Sequence, residues 1–104
     1  YIEDTMPFNI LLKGFLFVLG VIVLDKRIAV AGIIIEDTEA VEQVNGVLHK
    51  YGSIIIGRLG LPYRERGVSV ISVIIDADPD EISALTGAIG KISGVSVKSA
   101  ISKK

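Results

Sequence analysis

The chain has 104 residues, half of them hydrophobic, a net charge of −1 and no cysteine. That length points to one domain with a small core of its own. The charge balance leaves no strong nucleic-acid footprint, and the missing cysteines exclude disulfides, thiolate metal sites and thiol nucleophiles. Val and Ile dominate over the three Tyr and three Phe, which favours buried strands.

The first 24 residues stand apart from the rest. Phe8–Leu24, FNILLKGFLFVLGVIVL, carries a single charge, Lys13, and Lys26 and Arg27 follow it. The run sits at the short limit for a membrane helix, roughly 17–25 residues, and no small-residue cleavage pattern follows it. Three readings stay open: extraneous sequence from a fragment or an over-extended reading frame (the chain starts at Tyr1), a membrane anchor, or an extra strand turning at Asp25-Lys26. None gives the segment chemistry. The organised domain is expected over residues 25–104.

Ile28–Ile35, IAVAGIII, is a continuous apolar run and predicts a buried strand. Asp37 is placed to cap a helix with Glu39 in its first turn, and Val41, Val44, Leu48 and Tyr51 recur at helical spacing. Gly52 is expected to end that helix. Ser53–Leu61 and Gly67–Ile75 predict two strands joined by a hairpin holding Pro62 and Gly67. Asp78-Pro79-Asp80-Glu81 is a helix start, followed by the stripe Ile82, Leu85, Ile89, Ile92 and an expected end at Gly94. Val95–Ser102 alternates Val95, Val97 and Ile101 with Ser96, Lys98 and Ser102, as a half-buried strand does.

Strand, helix, strand, strand, helix, strand is the α+β, ferredoxin-like βαββαβ plan: a four-stranded antiparallel sheet, two helices on one face, strands one and three central. Two helices cover one face only, yet strand three has Ile71, Val73 and Ile75 on one side and Val68, Val70 and Ile74 on the other. Ile54, Ile55 and Ile56 are consecutive as well, so strand two is apolar on both sides. Each large aliphatic left in water forgoes roughly 1.5–3 kcal/mol of burial. The pattern therefore predicts a homo-oligomer, dimer or tetramer, that pairs strand two with strand two through Ile54, Ile55, Ile56, Gly57, Leu59 and Tyr63 and covers the open face. The competing reading is that the N-terminal segment covers that face within one chain. In the second helix, Ser83, Gly87 and Gly90 line a side away from the Ile stripe, as a close backbone approach or simply a weak helix would have it.

Little in the chain suggests catalysis. No nucleophile–base pair is visible. The single histidine, His49, falls near Asn45 and Glu42 off the apolar stripe, a surface or interface position, and one imidazole does not make a usual metal site within a subunit. Arg58, Arg64 and Arg66 cluster at the glycine-bearing hairpin, as either a solvated turn or an anion site. Gly57, Gly60 and Gly67 would let backbone come close there. The Glu36–Glu39 corner is acidic, which argues against a phosphate cradle, and Asp76, Asp78, Asp80 and Glu81 lack calcium-loop spacing. The strands lack the stacking aromatics of an RNA-recognition sheet, and no CxxC of a metal chaperone is present. No cofactor and no metal are expected.

At GRLGLPYRERG the chain resembles the small regulators assigned to iron-only hydrogenase systems, ACT-like domains related in fold to the C-terminal domain of nickel-responsive regulators. The resemblance spans about Lys26 to Ser102. It rests on RIAVAGIIIED, VNGVLHKYGSIIIGRLGLPYRERGVSVISVIIDA and ISALTGAIGKISGVSVK, in that order. It implies a non-enzymatic cytoplasmic oligomer that senses or transmits a small signal, and a ligand held at a subunit interface near the strand-one/helix-one corner. With the arginines added, the expected site is Glu36, Asp37, Thr38, Arg58 and Arg64, its ligand a small anionic or zwitterionic molecule. The family pattern has no counterpart for residues 1–24. The nickel ligands and any DNA-binding element are missing, so neither nickel sensing nor direct nucleic-acid contact carries over, and a membrane partner is not expected.

Overall fold

A computed structural model describes Asp25–Lys104. The three readings of residues 1–24 lie outside the described residues. Four strands and two helices follow in the order expected: β1 (Arg27–Ile35), α1 (Val41–Lys50), β2 (Ile55–Tyr63), β3 (Val68–Ala77), α2 (Pro79–Gly90) and β4 (Val95–Ile101). The sheet order is β2-β3-β1-β4, antiparallel throughout, so β1 and β3 are central and β2 and β4 are edges. This is the ferredoxin-like, ACT-like plan.

The continuous apolar run of β1 resolves into alternation. Ala29, Ala31, Ile33 and Ile35 are buried, whereas Ile28, Val30 and Ile34 are exposed. Opposite them on β3, Ile71, Val73, Ile75 and Ala77 face the same core. Val44 and Leu48 of α1 and Ile82, Leu85 and Ile89 of α2 close that core from one side. Small Ala29, Ala31 and Ala77 in the sheet let the larger helix side chains approach, so the layers interlock.

Each helix is launched by its own acids. Asp37 Oδ1 accepts the Glu39 N–H at 3.0 Å, but what it caps is a 3-10 turn, Thr38–Ala40, that runs on into α1. Asp78 and Glu81 form a reciprocal capping box: Asp78 Oδ1 accepts the Glu81 N–H at 2.8 Å, and the Asp78 N–H donates to Glu81 Oε1 at 3.5 Å, with Pro79 just inside.

Several expected boundaries move. Helix α1 ends as expected just before Gly52, with Tyr51 as its C-cap, but Gly52 has no positive φ, and Gly52–Ile54 form a 3-10 turn that takes up the first residues expected of the second strand. Strand two consequently runs later, through Pro62 to Tyr63, a proline position that an edge strand tolerates. A 3-10 turn, Arg64–Arg66, closes the hairpin, and Gly67 supplies the positive φ of 67°. The second helix ends at Gly90, not at Gly94. Ile92 continues the apolar spacing from a turn, where it packs on the core without being helical.

Candidate functional site

The sheet register decides where each candidate residue lands. Arg58 lies opposite Val73, a buried helix-side position, so the arginine sits on the helix-covered side of edge strand β2. Its head is held there: Arg58 Nη2 donates to Asn45 Oδ1 of α1 at 2.7 Å. Asn45 and His49 are one helical turn apart on α1, hence on the same strip of that helix. Together with Leu48, Gly52 and Ile55 they line an open cleft of about 480 Å³ between α1 and β2. Its polar wall carries a guanidinium, an imidazole and an amide, and among the described residues no carboxylate lines it. A smaller cavity of about 230 Å³ adjoins it, sharing Asn45 and Arg58 and reaching Val41, Gly60 and Pro62.

The acidic corner is elsewhere. The Glu36 N–H donates to the Gly94 carbonyl at 2.8 Å, which ties the end of β1 to the start of β4. Gly94 holds φ at 78°, and a Cβ there would stand 2.6 Å from Asp37 Cβ. Glycine is therefore required twice over, by the backbone and by the space. Glu36, Asp37 and Thr38 are exposed, with Asp37 engaged in its own turn.

Arg64 belongs to the β2–β3 turn, where its carbonyl accepts the Gly67 N–H at 3.1 Å. That turn and the acidic corner lie at the same end of the sheet, since Ile35 pairs with Ser69 and Ser69 with Pro62. Two strand spacings separate β2 from β1, about 9–10 Å of backbone. Among the described residues the one ion pair is Arg27 with Asp25 at 3.1 Å, so no salt bridge joins the arginines to the corner. The five expected ligand residues thus fall into three places: the β1 exit, the hairpin turn and the α1–β2 cleft. Asn45, which sequence reading leaves without a role, and His49, which it places on the surface or at an interface, share the cleft with Arg58. Their four-residue spacing beside Leu48 was the available signal.

The expected interface residues also divide. Ile54 and Ile55 pack against the helix-side core and are half-buried. Ile56 sits at a bulge where pairing with β3 skips from Ile55 to Gly57, and it is 62% exposed. After the bulge, Gly57, Leu59, Leu61 and Tyr63 pair with Ile74, Ser72, Val70 and Val68 on the sheet side away from the helices. Leu59 is 71% exposed, and Leu61, Tyr63, Ile74, Ile34, Val30 and Ile28 extend the apolar surface across to β1. A third cavity, about 270 Å³, opens on that face among Gly32, Ile34, Val70, Ser96 and Lys98. Among the described residues no group of three or more His, Asp or Glu side chains is placed to hold a metal ion, and no helix is long and apolar enough to cross a membrane.

Comparisons with known proteins agree with this architecture. Residues 27–99 match the family model TM1266-like, described as "Iron-only hydrogenase system regulator, putative". The solved structure of the uncharacterized protein TM1266 from Thermotoga maritima is 38% identical, with a TM-score of 0.72, covering 76% of this chain and 100% of that one. The ACT domain of GTP pyrophosphokinase from Chlorobium tepidum is 20% identical with a TM-score of 0.57, over 76% of this chain and 89% of that one, which is a likeness of fold. No curated protein matches. By the family model and by the Thermotoga relative alike, the chain belongs to the TM1266-like family of iron-only hydrogenase system regulators.

Proposed function

We propose that the chain is a non-enzymatic, cytoplasmic regulatory domain that works as a homo-oligomer, its assembly biased by a small anionic or zwitterionic molecule bound near Arg58, Arg64 and the Glu36–Thr38 corner at a subunit interface. The observation that carries this reading is the apolar surface running from Ile28, Val30 and Ile34 over Ile74 to Leu59 and Leu61 on a free sheet edge. A contiguous aliphatic patch of this kind on a small domain marks an interaction surface. An edge strand beside it, unpaired among the described residues, offers backbone donors and acceptors to a second copy. A ligand that binds one assembly state more tightly shifts the equilibrium by its differential affinity.

Light scattering of the full chain on a sizing column at micromolar concentration tests the assembly. A dimer or larger species is expected, and a monomer across that range refutes it. A thermal-shift screen with amino acids and small organic acids tests the sensing. A ligand present at 100 times its Kd adds about 2.7 kcal/mol of stability, a readily measured rise in melting temperature. Silence across the screen from an intact oligomer favours a second reading, a purely structural oligomerisation module. That reading draws support from Asp37, whose carboxylate is already used within its own turn.

A further inference from the structure

We propose that the cleft between α1 and β2 is a carboxylate-binding site in which Arg58 and His49 hold the anion and Leu48 and Ile55 seat a short aliphatic part. The inference rests on the regulatory reading above and gives it a location and a ligand chemistry. It also moves the expected site away from the acidic corner.

Arg58 is the starting point. Its position opposite Val73 puts a permanent cation on the side of the sheet that the helices cover. Its side chain is exposed, so the charge stays in contact with water and needs no carboxylate of its own chain. Here the partner is an amide. Asn45 Oδ1 takes one guanidinium N–H at 2.7 Å, and among the described residues Arg58 has no ion pair and no other hydrogen bond. An amide oxygen orients a guanidinium without cancelling its charge, so most of its five N–H donors stay available for a two-oxygen anion.

The surroundings select the same ligand. His49 follows Asn45 by one turn and lines the same cleft, adding an imidazole N–H donor to the cationic wall. Among the described residues no acidic side chain lines the cleft to repel an anion. Leu48 and Ile55 give its inner wall an apolar surface, and Gly52 leaves the end of it without a side chain. At about 480 Å³ the space falls within the range of small-molecule sites, roughly 300–1,000 Å³. Cationic donors at one side and aliphatic carbon at the other match a small carboxylate with a short hydrocarbon body. Inorganic phosphate would satisfy only the donors.

The test is a titration of the ¹⁵N-labelled full chain with butyrate, n-butanol and inorganic phosphate, followed by backbone amide shifts. Butyrate is expected to give saturable shifts centred on Asn45, His49, Gly52 and Arg58, and butanol none. Arg58→Gln is expected to weaken butyrate binding about tenfold or more, the loss of a charge-assisted pair. His49→Gln should weaken it less, and Lys91→Gln, at the end of α2 and outside the cleft, should leave it unchanged. Asn45→Ala keeps the charge but frees the guanidinium, so a several-fold loss in that variant carries the argument if Arg58→Gln does not fold. Shifts equal for butanol and butyrate, saturation by phosphate where butyrate has none, or shifts centred on Arg64–Gly67 or Glu36–Thr38 would each overturn the proposal. Sedimentation of the same samples separates it from the regulatory reading. A cleft filled by butyrate with no change in oligomer mass leaves the site standing and removes the regulation. A mass that responds to another small acid while the cleft stays silent does the reverse.

Discussion

Replacing Gly94 with alanine tests the corner that joins β1 to β4. Gly94 has φ 78°, and its carbonyl accepts the Glu36 N–H at 2.8 Å. An alanine in left-handed backbone costs about 1–2 kcal/mol. Its Cβ would stand 2.6 Å from Asp37 Cβ, whereas carbon atoms rest at about 3.5–4.0 Å, so roughly 1 Å must be recovered by displacing Asp37. That displacement strains the Asp37 Oδ1–Glu39 N–H bond, a cap of the kind that contributes about 0.5–2 kcal/mol. Alanine also narrows the unfolded ensemble, which returns about 0.4–1 kcal/mol. The expected net loss is about 2–3 kcal/mol, or roughly a 30- to 150-fold rise in the unfolding constant. Urea unfolding of the full chain at matched protein concentration measures it. Gly87→Ala is the control: Gly87 is exposed inside α2 with open space at its Cβ, so alanine should stabilise by about 0.5–1 kcal/mol. A Gly94→Ala protein within about 0.5 kcal/mol of the parent, the scatter of an ordinary surface change, would refute the account of this corner.

Four further outcomes are expected. Asp78→Ala removes one side of the capping box at α2 and should cost about 1–2 kcal/mol in the same urea experiment. Ile33→Ala, at a fully buried site, should cost about 2–5 kcal/mol at any protein concentration. Ile34→Ala, its neighbour on the open face, should cost little in dilute protein and progressively more as concentration rises if a second copy covers that face as proposed. Leu59→Glu puts a charge on the exposed β2 edge and should lower the mass seen by light scattering while the far-ultraviolet circular dichroism stays that of the parent.

The fold was legible because its signals are local and redundant. Asp78-Pro79-Asp80-Glu81 announces α2 by chemistry that operates within one turn, and the capping box forms as those residues require. Strand β4 alternates in sequence and pairs as an edge. The boundaries went astray where a residue type has two uses. Gly52 marks the end of α1 as expected, yet the chain does not enter β2 there but continues through a 3-10 turn that returns Ile54 to the core. Ile92 keeps the helical period only because a turn happens to aim it at the same core, and this hides the end of α2 at Gly90. The grouping of Arg58 with Asn45 and His49 depends on sheet register and on how α1 lies over β2. Neither is encoded in the spacing of the three residues, so proximity along the hairpin drew Arg58 toward Arg64 instead.

Strand β2 is the one element that belongs to both proposed surfaces, and this bears on how ligand and assembly could be linked. Arg58 reaches the helix-side cleft, while Gly57 and Leu59, the residues on either side of it, belong to the open face of the sheet. A bulge at Ile56 separates this segment from Ile55, which is packed into the core. Bulges locally interrupt the ladder and increase twist, so the segment after Ile56 is held by its pairing with β3 and by the Arg58–Asn45 bond. In the proposed mechanism an anion binds the guanidinium that this bond orients and so reinforces it, and the twist of β2 at Leu59 follows. Among the described residues β2 has a partner strand on one side only, so in this mechanism a change in its twist is unopposed at the other edge until a second copy pairs there. Binding in the cleft and pairing at the edge then act on the same few backbone torsions. On this proposal the differential affinity that linkage demands would reside in β2 itself rather than in a route through the packed core.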